Sequence, residues 1–421
     1  MLDLYDDIMD IILDYLPVND LLNASLVSKK WLEYIGESAA FRKKIVINSN
    51  FYTDPVISGK RKYECLNIRH HEMNSATLKL IKNHAWHTVY FNVQKVSSQN
   101  NFVGIIERLQ HVRDLKVMNV AITKLKTHKK LSLSNLENLV FSDVAVDTFE
   151  TFLDRQPELK SLSLRYITAD ILNKRTVREY VIEFLLLNNQ LRQLELYPDV
   201  VNELFKSEVT QIVSLKLRSI ALNLCDIKDA VIRTNIEDFL KSQENSLEEL
   251  KFLFQQKFVG KRKYPQYSWY LEDEDSGDEE EADQKCNDIS ILFNVWNNLS
   301  CLKKLTLRFF VNFVENRELL LTLKNFKPNN SIKTLNIKHI NCTIPVRTVE
   351  KIINLCPNLN YLYISNLDPS VITLCSQNLK FLKVINYSVE KDDAINVYDA
   401  AIKSANSNCN KFIKFHKEYM G

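Results

Sequence analysis

The chain has 421 residues, of which 45% are hydrophobic, and its formal net charge at pH 7 is only +3. A charge balance this close to neutral produces no whole-chain field that would require a nucleic acid or a membrane surface as partner. The longest apolar run, FLLL at residues 184–187, is far shorter than the about 20 residues of a membrane-spanning helix. The N-terminus is acidic and lacks the basic region of a signal peptide, so we expect a soluble protein of the cytoplasm.

Three short amphipathic helices are predicted near the start of the chain. In YDDIMDIILDYL the apolar residues at positions 8, 11, 12, 15 and 16 have the spacing of one helical face. Pro17 ends this helix, Asn19 or Asp20 can cap a second helix, and Ser28 can cap a third. A segment of about 40 residues rarely buries enough apolar surface to be stable alone, so these helices need another surface to pack against.

A phrase of the form L-x-x-L-x-L then recurs along the chain. Its clear copies begin at residues 112, 136, 159, 191, 212, 247, 302, 332, 359 and 379, weaker copies begin at 63 and 86, and RKKIVI at 42–47 is a candidate first strand. Most copies are 20 to 35 residues apart, which is the period of a solenoid repeat. Helix-sized segments such as TVREYVIEFLLL and RTVEKIINLC lie between them, so each unit is predicted to be a strand followed by a helix.

The predicted fold class is α/β. A short strand with one helix cannot bury its own apolar side, so neighbouring units must stack into a curved solenoid with parallel strands on the concave face. The leucine positions of each strand face the core, and the residues between them face outward.

This pattern resembles leucine-rich repeats over residues 42–421, in about 12 irregular units. The consensus of that family has Asn or Cys three positions after the last leucine. This chain has apolar residues there, such as Val120, Val144 and Ile167, so we expect no regular asparagine ladder.

The segment 1–41, placed before such repeats, resembles an F-box domain. The pattern of that family is L-P-x-E-I-L, an apolar helix, D-L-L and then V-C-x-x-W. Tyr5 stands where the family has proline, and Ser28 stands where it has cysteine. The residues of this chain that fit the pattern are Leu4, Asp7, Ile8, Ile12, Leu16, Asp20, Leu21, Leu22, Val27, Lys30 and Trp31.

The resemblance implies that the missing half of the helices' core comes from a Skp-type adaptor, which itself binds a cullin-RING scaffold. It also implies a non-catalytic subunit of an SCF-type ubiquitin ligase, whose repeats bind a target protein for ubiquitination and proteasomal degradation. The alternative is a leucine-rich-repeat binding scaffold whose N-terminal helices only cap the first repeat. The residues expected to face the adaptor or to support its site are Leu4, Ile8, Leu16, Leu21, Val27 and Trp31.

No catalytic or cofactor-binding arrangement emerges from the sequence. The six glycines are widely separated, which excludes a dinucleotide fingerprint and a phosphate loop. The histidines at 70, 71, 84 and 87 lie near Cys65 but match no standard zinc motif. The eight cysteines contain no C-x-x-C pair, so we expect reduced, mostly buried thiols without disulfides or structural zinc. We therefore expect no cofactor, no metal and no enzymatic activity.

An acidic stretch interrupts the repeats. EDEDSGDEEEAD, at 272–283, contains nine carboxylates in twelve residues and lies within the longest gap between phrases. We expect a disordered insertion near 257–287, which is either a solvated loop or a regulatory segment with Ser276 as a candidate for phosphorylation by a casein-kinase-type enzyme. The basic cluster GKRKY occurs at 59–63 and at 260–264, and is either a solvated turn or a nuclear import signal.

The outward positions of the repeat phrases are predominantly basic. From residue 63 onward they contain ten Lys or Arg residues against three Asp or Glu residues, and aromatic residues adjoin them near the C-terminal end. This wall is predicted to bind an acidic or phosphorylated segment of a substrate protein. The alternatives are cations that are only solvated, occupation by the chain's own acidic stretch, and a nucleic acid, which the absence of a stacking motif disfavours. The candidate substrate-binding residues are Arg308, Lys338, Tyr361, Tyr363, Phe381 and Lys383.

Overall fold

The computed structural model of the chain has three helices at its start, followed by parallel strands that alternate with helices. The residues described fall into two compact units, Met1–Leu204 with Ser214–Lys216 and Phe205–Val213 with Leu217–Gly421. Among the described helices none is both long and apolar enough to cross a membrane. The described residues, to which every structural statement below is confined, are 6–38, 42, 44, 46–48, 64–68, 79, 81–82, 90–94, 99–120, 130–168, 175–225, 227, 229–255, 289–309, 327–339, 346–365, 369–379, 384–389, 400, 402–403 and 414–419.

The three predicted N-terminal helices are present, as α1 (Asp6–Tyr15), α2 (Val18–Ser25) and α3 (Lys29–Glu37). Ser28 caps α3 as expected, since its hydroxyl oxygen accepts a hydrogen bond from the backbone N–H of Trp31 at 3.2 Å. The predicted cap of α2 by Asn19 or Asp20 is wrong. Pro17 is the N-cap residue, and its carbonyl oxygen accepts the N–H of Asp20 at 3.1 Å, so both predicted caps lie inside the first turn.

The first unit contains parallel strands that follow the order of the sequence. Its described strands are β1 (Val46–Asn48), β2 (Cys65–Ile68), β3 (Tyr90–Gln94), β4 (Asp114–Val120), β5 (Asn138–Ala145), β6 (Ser161–Thr168) and β7 (Gln193–Leu196). Its described helices after the first three are α4 (Gln99–Ile106), α5 (Val146–Glu150) and α6 (Val177–Leu187), and α7 (Pro198–Phe205) follows β7.

The second unit repeats the same arrangement of parallel strands and helices, which confirms the predicted α/β repeat. Its described strands are β8 (Ser219–Cys225), β9 (Glu249–Gln255), β10 (Lys304–Phe309), β11 (Thr334–His339), β12 (Tyr361–Ser365), β13 (Val384–Val389) and β14 (Lys414–Tyr419). Its described helices are α8 (Ala230–Ser242), α9 (Ile289–Trp296), α10 (Val346–Leu355) and α11 (Pro369–Asn378).

Each strand turns alternate apolar residues into the core. Leu115 of β4 lies opposite Leu139 of β5, and Val117 lies opposite Phe141. All four side chains are at most 1% exposed. The intervening residues are on the outer face of the sheet, so the core occupies one face and recognition is left to the other.

In each of three neighbouring strands, a residue with a positive φ angle follows the second side chain that points into the core. Asn119, Asp143 and Tyr166 have φ angles of 51°, 55° and 51°, in the left-handed region that costs most for a residue such as tyrosine. Each of them is an extra residue in the alternation, so that two residues instead of one separate the second buried side chain from the third. The residue that follows the positive φ angle therefore points into the core. This buried apolar ladder, found in place of an asparagine ladder as expected, consists of Val120, Val144 and Ile167.

Buried side-chain amides join the turns that precede the strands. Gln156 is fully buried, and its Oε1 accepts the N–H of Leu133 at 2.8 Å while its Nε2 donates to the carbonyl of Leu131 at 2.7 Å. Asn188 in turn accepts the N–H of Gln156 at 2.7 Å. In the second unit, the fully buried Gln243 accepts a backbone N–H before β8 at 3.0 Å. These amides pair backbone groups that no strand or helix satisfies.

The predicted strand IVSLKL at 212–217 is wrong. A 3₁₀ helix, Thr210–Ile212, and a turn occupy this segment, and β8 begins only at Ser219. Leu215 and Leu217 are nevertheless buried, at 2% and 0% exposure. The two leucines are therefore buried in the turn that leads into the strand. Buried residues in this turn have the same spacing of two as buried residues in a strand.

Two further strands begin later than the repeat phrases predict. Phe91 of β3 lies opposite Leu66 of β2, so the phrase WHTVYF is out of register by two residues. Ile385 of β13 lies opposite Leu362 of β12, so LKFLKV at 379–384 is out of register by three residues, and its last residue, Val384, begins the strand. In both cases a second alternation of apolar residues follows the first within a few residues. Pairing with the neighbouring strand determines which of the two alternations forms the strand.

Replacing Gln156 by Ala should lower the free energy of unfolding by about 3 kcal/mol, because it leaves two buried backbone groups without hydrogen bonds. Chemical denaturation followed by circular dichroism measures this loss. The control is Gln110→Ala, because the Gln110 side chain is exposed and its replacement should change stability by no more than about 0.5 kcal/mol. Equal effects of the two substitutions would contradict the structural role of Gln156.

Candidate functional site

Large apolar side chains are exposed on the three N-terminal helices. Among the described residues fourteen large hydrophobic side chains are exposed, and eight of them lie between positions 8 and 32. The most exposed are Tyr15 at 85%, Leu26 at 82% and Val27 at 73%. So many exposed apolar side chains in one short segment indicate a protein-binding interface. The eight residues, called the N-terminal apolar surface below, are Ile8, Ile11, Ile12, Tyr15, Leu22, Leu26, Val27 and Leu32.

Three buried side chains and one lysine hold the helices beneath this surface. Leu13, Leu21 and Ile35, one in each helix, are completely buried. The ammonium group of Lys44 donates to three carbonyl oxygens at the C-terminal end of α1, 2.5 to 3.1 Å away. A cation at this end also interacts favourably with the helix dipole. No sequence pattern singles out Lys44, because its partners lie 28 to 31 residues earlier in the chain.

The predicted adaptor-binding residues differ in exposure. Ile8 and Val27 are exposed, at 43% and 73%. Leu16 and Trp31 are half-buried, and Leu21 is fully buried. Leu21 therefore supports the surface from beneath, while the others have atoms that a partner can contact.

Leu4, the remaining predicted residue, lies outside the described residues. The prediction omits Leu26, although it is among the most exposed side chains of the surface. Leu26 follows α2 at the start of the turn into α3, so the spacing of helical residues does not reveal which way it points.

A second candidate surface lies on the outer face of the sheet in the second unit. Arg308 of β10 and Lys338 of β11 are directly opposite each other. The ammonium group of Lys338 lies 4.5 Å from the centroid of the Tyr363 ring in β12, which is within cation–π range. Tyr361, two residues earlier in the same strand, is 48% exposed. The structure thus brings together Arg308, Lys338 and Tyr363, whereas Tyr361 lies opposite Thr334, four residues along the strands from the row of Lys338.

Ion pairs offset part of the positive charge on the outer faces. Lys304 Nζ lies 2.6 Å from Glu249 Oε1 in the second unit. In the first unit, Arg165 Nη2 lies 3.4 Å from Glu195 Oε2 and its guanidinium carbon lies 4.3 Å from the centre of the Tyr197 ring. Arg165 and Lys304 therefore contribute less net charge to a partner than the sequence count suggests.

Two residues of the predicted basic wall are not on the outer face of a strand. Lys216 and Arg218 precede β8 and are not on a strand, so their assignment to the outer face is wrong. In the second unit the half-buried cations Lys251, Arg308 and Lys338 keep their predicted place on that face. The predicted residues that lie outside the described part of the chain are Arg69, Phe381 and Lys383, together with Ser276 and the acidic stretch.

Asn223 is a polar residue on this outer face that none of the repeat phrases contains. It lies opposite Leu253 of β9, which in turn lies opposite Arg308. Its side chain is fully buried, and neither its amide nitrogen nor its amide oxygen has a hydrogen-bond partner among the described residues. An unsatisfied buried amide lowers stability by about 1–3 kcal/mol per group.

The described residues contain no group of three His, Cys, Asp or Glu side chains that could hold a metal ion. The four histidines considered as ligands lie outside the described part. Four cysteines are described as free thiols, of which Cys356 and Cys375 are buried and Cys65 and Cys301 are half-buried. Burial raises the pKa of the Cys356 and Cys375 thiols to about 12, which makes them poor nucleophiles.

Comparison with known proteins matches residues 1–38 to the F-box domain. Among solved structures, the chain is similar to one in the crystal structure of the TLR13-ssRNA13 complex, with 16% identity and a TM-score of 0.39 over 82% of this chain and 44% of that chain. It is also similar to one in the crystal structure of the Rad7 and Elc1 complex in yeast, with 15% identity and a TM-score of 0.33 over 92% and 89% of the two chains. No curated protein matches.

Cys356 and Cys375 should resist alkylation by iodoacetamide in the native protein at pH 8, because a pKa of about 12 leaves almost no thiolate. Mass spectrometry of tryptic peptides measures the labelling, with the half-buried Cys301 as the comparison within the same chain. In the unfolded chain these thiols ionise near pH 8.5, so the stability that depends on their protonated form should fall as the pH rises above that value. Rapid native labelling of Cys356 would show that its site opens.

Proposed function

We propose that this chain, which carries an F-box domain at residues 1–38 ahead of leucine-rich-repeat-like strands and helices, is a substrate-recognition adaptor of an SCF-type ubiquitin ligase. Its N-terminal helices bind a Skp-type adaptor, through which it joins a cullin-RING scaffold. Its repeats bind the protein to be ubiquitinated. The observation that carries the proposal is the N-terminal apolar surface, which has eight large hydrophobic side chains exposed within 25 residues.

A partner protein would cover the apolar side chains that the chain leaves in water. The free energy gained on burial rises with the apolar area removed from water, at about 25 cal/mol per Å². Tyr15, Leu26 and Val27 are the most exposed members of the surface, so they have most to gain and are its principal anchors. Leu13, Leu21 and Ile35 already occupy the interior between the helices, which leaves the exposed set for an external partner.

The same exposure weighs against the alternative in which the helices only cap the first repeat. A terminal cap of a repeat array needs a polar outer face to remain soluble. Here Ile8, Ile11 and Ile12 are 41% to 57% exposed on α1. If α1 were only a cap, these three isoleucines would be turned toward the repeats, because the apolar face of an amphipathic helix is the face that gains from burial.

The proposed division of labour gives the chain a binding role without a catalytic step of its own. The domain of residues 1–41 attaches it to the ligase, and the domain of residues 42–421 holds the substrate. Tethering raises the effective concentration of the substrate beside a ubiquitin-conjugating enzyme, and other subunits supply the chemistry. Lys44 supports this arrangement, since its bonds to the end of α1 connect the first domain to the start of the second.

We place this activity in the cytoplasm, with the nucleus as the alternative if the two GKRKY clusters act as import signals. Phosphorylation of Ser276 within the acidic stretch stays a prediction, and it would add up to two negative charges to a segment that is already acidic.

Replacing Tyr15, Leu26 and Val27 together by Ala should weaken capture of a purified Skp-type adaptor at least about a hundredfold, because three exposed anchors are removed. Titration of labelled adaptor measures the affinity. The midpoint of thermal unfolding should stay nearly unchanged, because exposed side chains contribute little to stability.

The matched control is Leu186→Ala with Leu187→Ala, which removes two exposed leucines of α6 outside the N-terminal apolar surface and should leave adaptor capture intact. Leu21→Ala distinguishes support from contact, since truncation of this buried leucine should lower stability by about 2–5 kcal/mol. Unchanged capture by the triple variant would refute the proposed function.

A further inference from the structure

Ser28 places a hydroxyl group within the N-terminal apolar surface. It is the N-cap residue of α3, and it is exposed. The two residues before it, Leu26 and Val27, are 82% and 73% exposed, and Leu32 of α3 is 37% exposed. The hydroxyl group is therefore adjacent in the chain to side chains that the proposed function assigns to adaptor binding.

The other two serines among residues 6–38 are buried and use their hydroxyl groups within the fold. Ser25 is 6% exposed, and its hydroxyl group donates to the carbonyl oxygen of Leu22 at 2.6 Å. Ser38 is 5% exposed, and its hydroxyl group donates to the carbonyl oxygen of Ile35 at 2.9 Å. Among these three serines, Ser28 alone is accessible to a modifying enzyme.

The folded chain can carry a phosphate at Ser28. The first N–H groups of a helix have no partners within it, and the helix dipole favours a negative charge at this end. The hydroxyl oxygen of Ser28 already accepts the N–H of Trp31 at 3.2 Å. Lys29 and Lys30 follow directly, and both are exposed. A phosphate at this position would therefore interact favourably with the start of α3 and would leave the helix folded.

The same phosphate is incompatible with a partner protein that covers the N-terminal apolar surface. A phosphoserine carries close to two negative charges at pH 7. Moving an ionised group from water into an apolar interface is unfavourable unless the partner pairs with it. Leu26 and Val27 directly precede Ser28, so a partner that buries these two side chains also removes water from the phosphate.

We propose that Ser28 is a phosphorylation site that controls the attachment of the chain to its adaptor. This inference rests on the proposed function, to which it adds regulation. A protein kinase transfers the γ-phosphoryl group of ATP to Ser28 Oγ. The new P–O bond forms as the bond to the leaving ADP breaks, and the hydroxyl proton is released. Because the adaptor covers the surface around Ser28, the kinase acts on the free chain.

Tyr15 also carries a hydroxyl group on this surface, but a phosphate fits less well there. Tyr15 is 85% exposed and is the last residue of α1, where the helix dipole disfavours a negative charge. Asp14 precedes it, so a phosphate would add to a charge of the same sign. The ammonium group of Lys44, at the same end of α1, already donates to three carbonyl oxygens.

The test compares forms of the full chain in titrations with a labelled Skp-type adaptor. Phosphoserine incorporated at position 28 during synthesis should weaken adaptor capture at least about tenfold, because the interface must desolvate a dianion. The control form carries phosphoserine at position 134, where the unaltered chain has an exposed serine outside the N-terminal apolar surface. Its affinity should stay within about twofold of that of the unaltered chain.

Ser28→Asn and Ser28→Asp form a matched pair, because both new residues are good N-caps of similar size and only one of them is charged. Ser28→Asn should keep the affinity within about twofold, whereas Ser28→Asp should weaken capture at least about threefold. Equal capture by the phosphoserine form and the unaltered chain would overturn the inference. An equal loss with Ser28→Asn would also overturn it, because an uncharged cap cannot reproduce an effect of charge.

Thermal unfolding of the same forms separates lost binding from lost structure. The midpoint of the form with phosphoserine at position 28 should be no lower than that of the unaltered chain, because a negative charge at a helix N-terminus is favourable. A clearly lower midpoint together with lost capture would assign the loss to unfolding of the helices and overturn the inference.

A second measurement asks whether the site is used. The chain is purified from the cells that produce it and divided into adaptor-bound and adaptor-free pools, and mass spectrometry of tryptic peptides locates the phosphate groups. Phosphate at Ser28 should occur in the adaptor-free pool alone. Phosphate at Ser28 in the bound pool, or in neither pool, would overturn the inference.

The unaltered chain distinguishes this inference from the proposed function. If it fails to capture the adaptor, the proposed function is refuted and the inference that rests on it is refuted as well. If it captures the adaptor and phosphoserine at position 28 has no effect, the control by Ser28 is refuted and the proposed function stands.

Discussion

No repeat of this chain can exclude water from its own apolar side, and the rest of the structure follows from that constraint. In the first unit, the Phe141 ring of β5 lies 5.2 Å from Phe149, and Phe149 lies 5.3 Å from Phe184 in the helix after the next strand. The core is therefore shared between neighbouring repeats rather than enclosed within one. Because packing occupies one face of each sheet, the other face carries side chains such as Lys251 and Lys338, whose identity the core does not dictate.

Sharing a core in this way leaves backbone groups at the turns without regular partners, and the chain satisfies them with buried amides. Gln156 and Gln243 serve this purpose in the two units, each at a turn before a strand. The same short strands end in left-handed residues in the first unit, where Asp143 and Tyr166 shift the next residue into the core. An apolar ladder near the ends of the strands thus stands where the repeat consensus has an asparagine ladder. Amide hydrogen bonds satisfy the backbone groups in the turns before the strands.

An apolar spacing reports burial and not strand position, which explains how much of the fold the sequence predicts. The alternation in LEELKF and that in IVSLKL both mark buried residues, but only LEELKF contains the start of a strand. Contacts between distant residues leave no local pattern at all, so the roles of Lys44 and Gln156 were not predictable. The pairing of Arg308 with Lys338 was predictable, because each occupies the same position of a repeated phrase and parallel register aligns such positions.

The two proposed surfaces use opposite chemistry, and the repeat architecture allows them to change independently. The N-terminal apolar surface depends on hydrophobic burial, which salt barely affects, whereas charges such as Lys338 act through electrostatic attraction that salt screens. In a repeat architecture each unit contacts its neighbours, so a substitution on the outer face of β10 or β11 acts first on the adjacent strands of the second unit. Under the proposed function, the affinity for a substrate can change without a matching change in attachment to the ligase, which is the separation that a substrate adaptor requires.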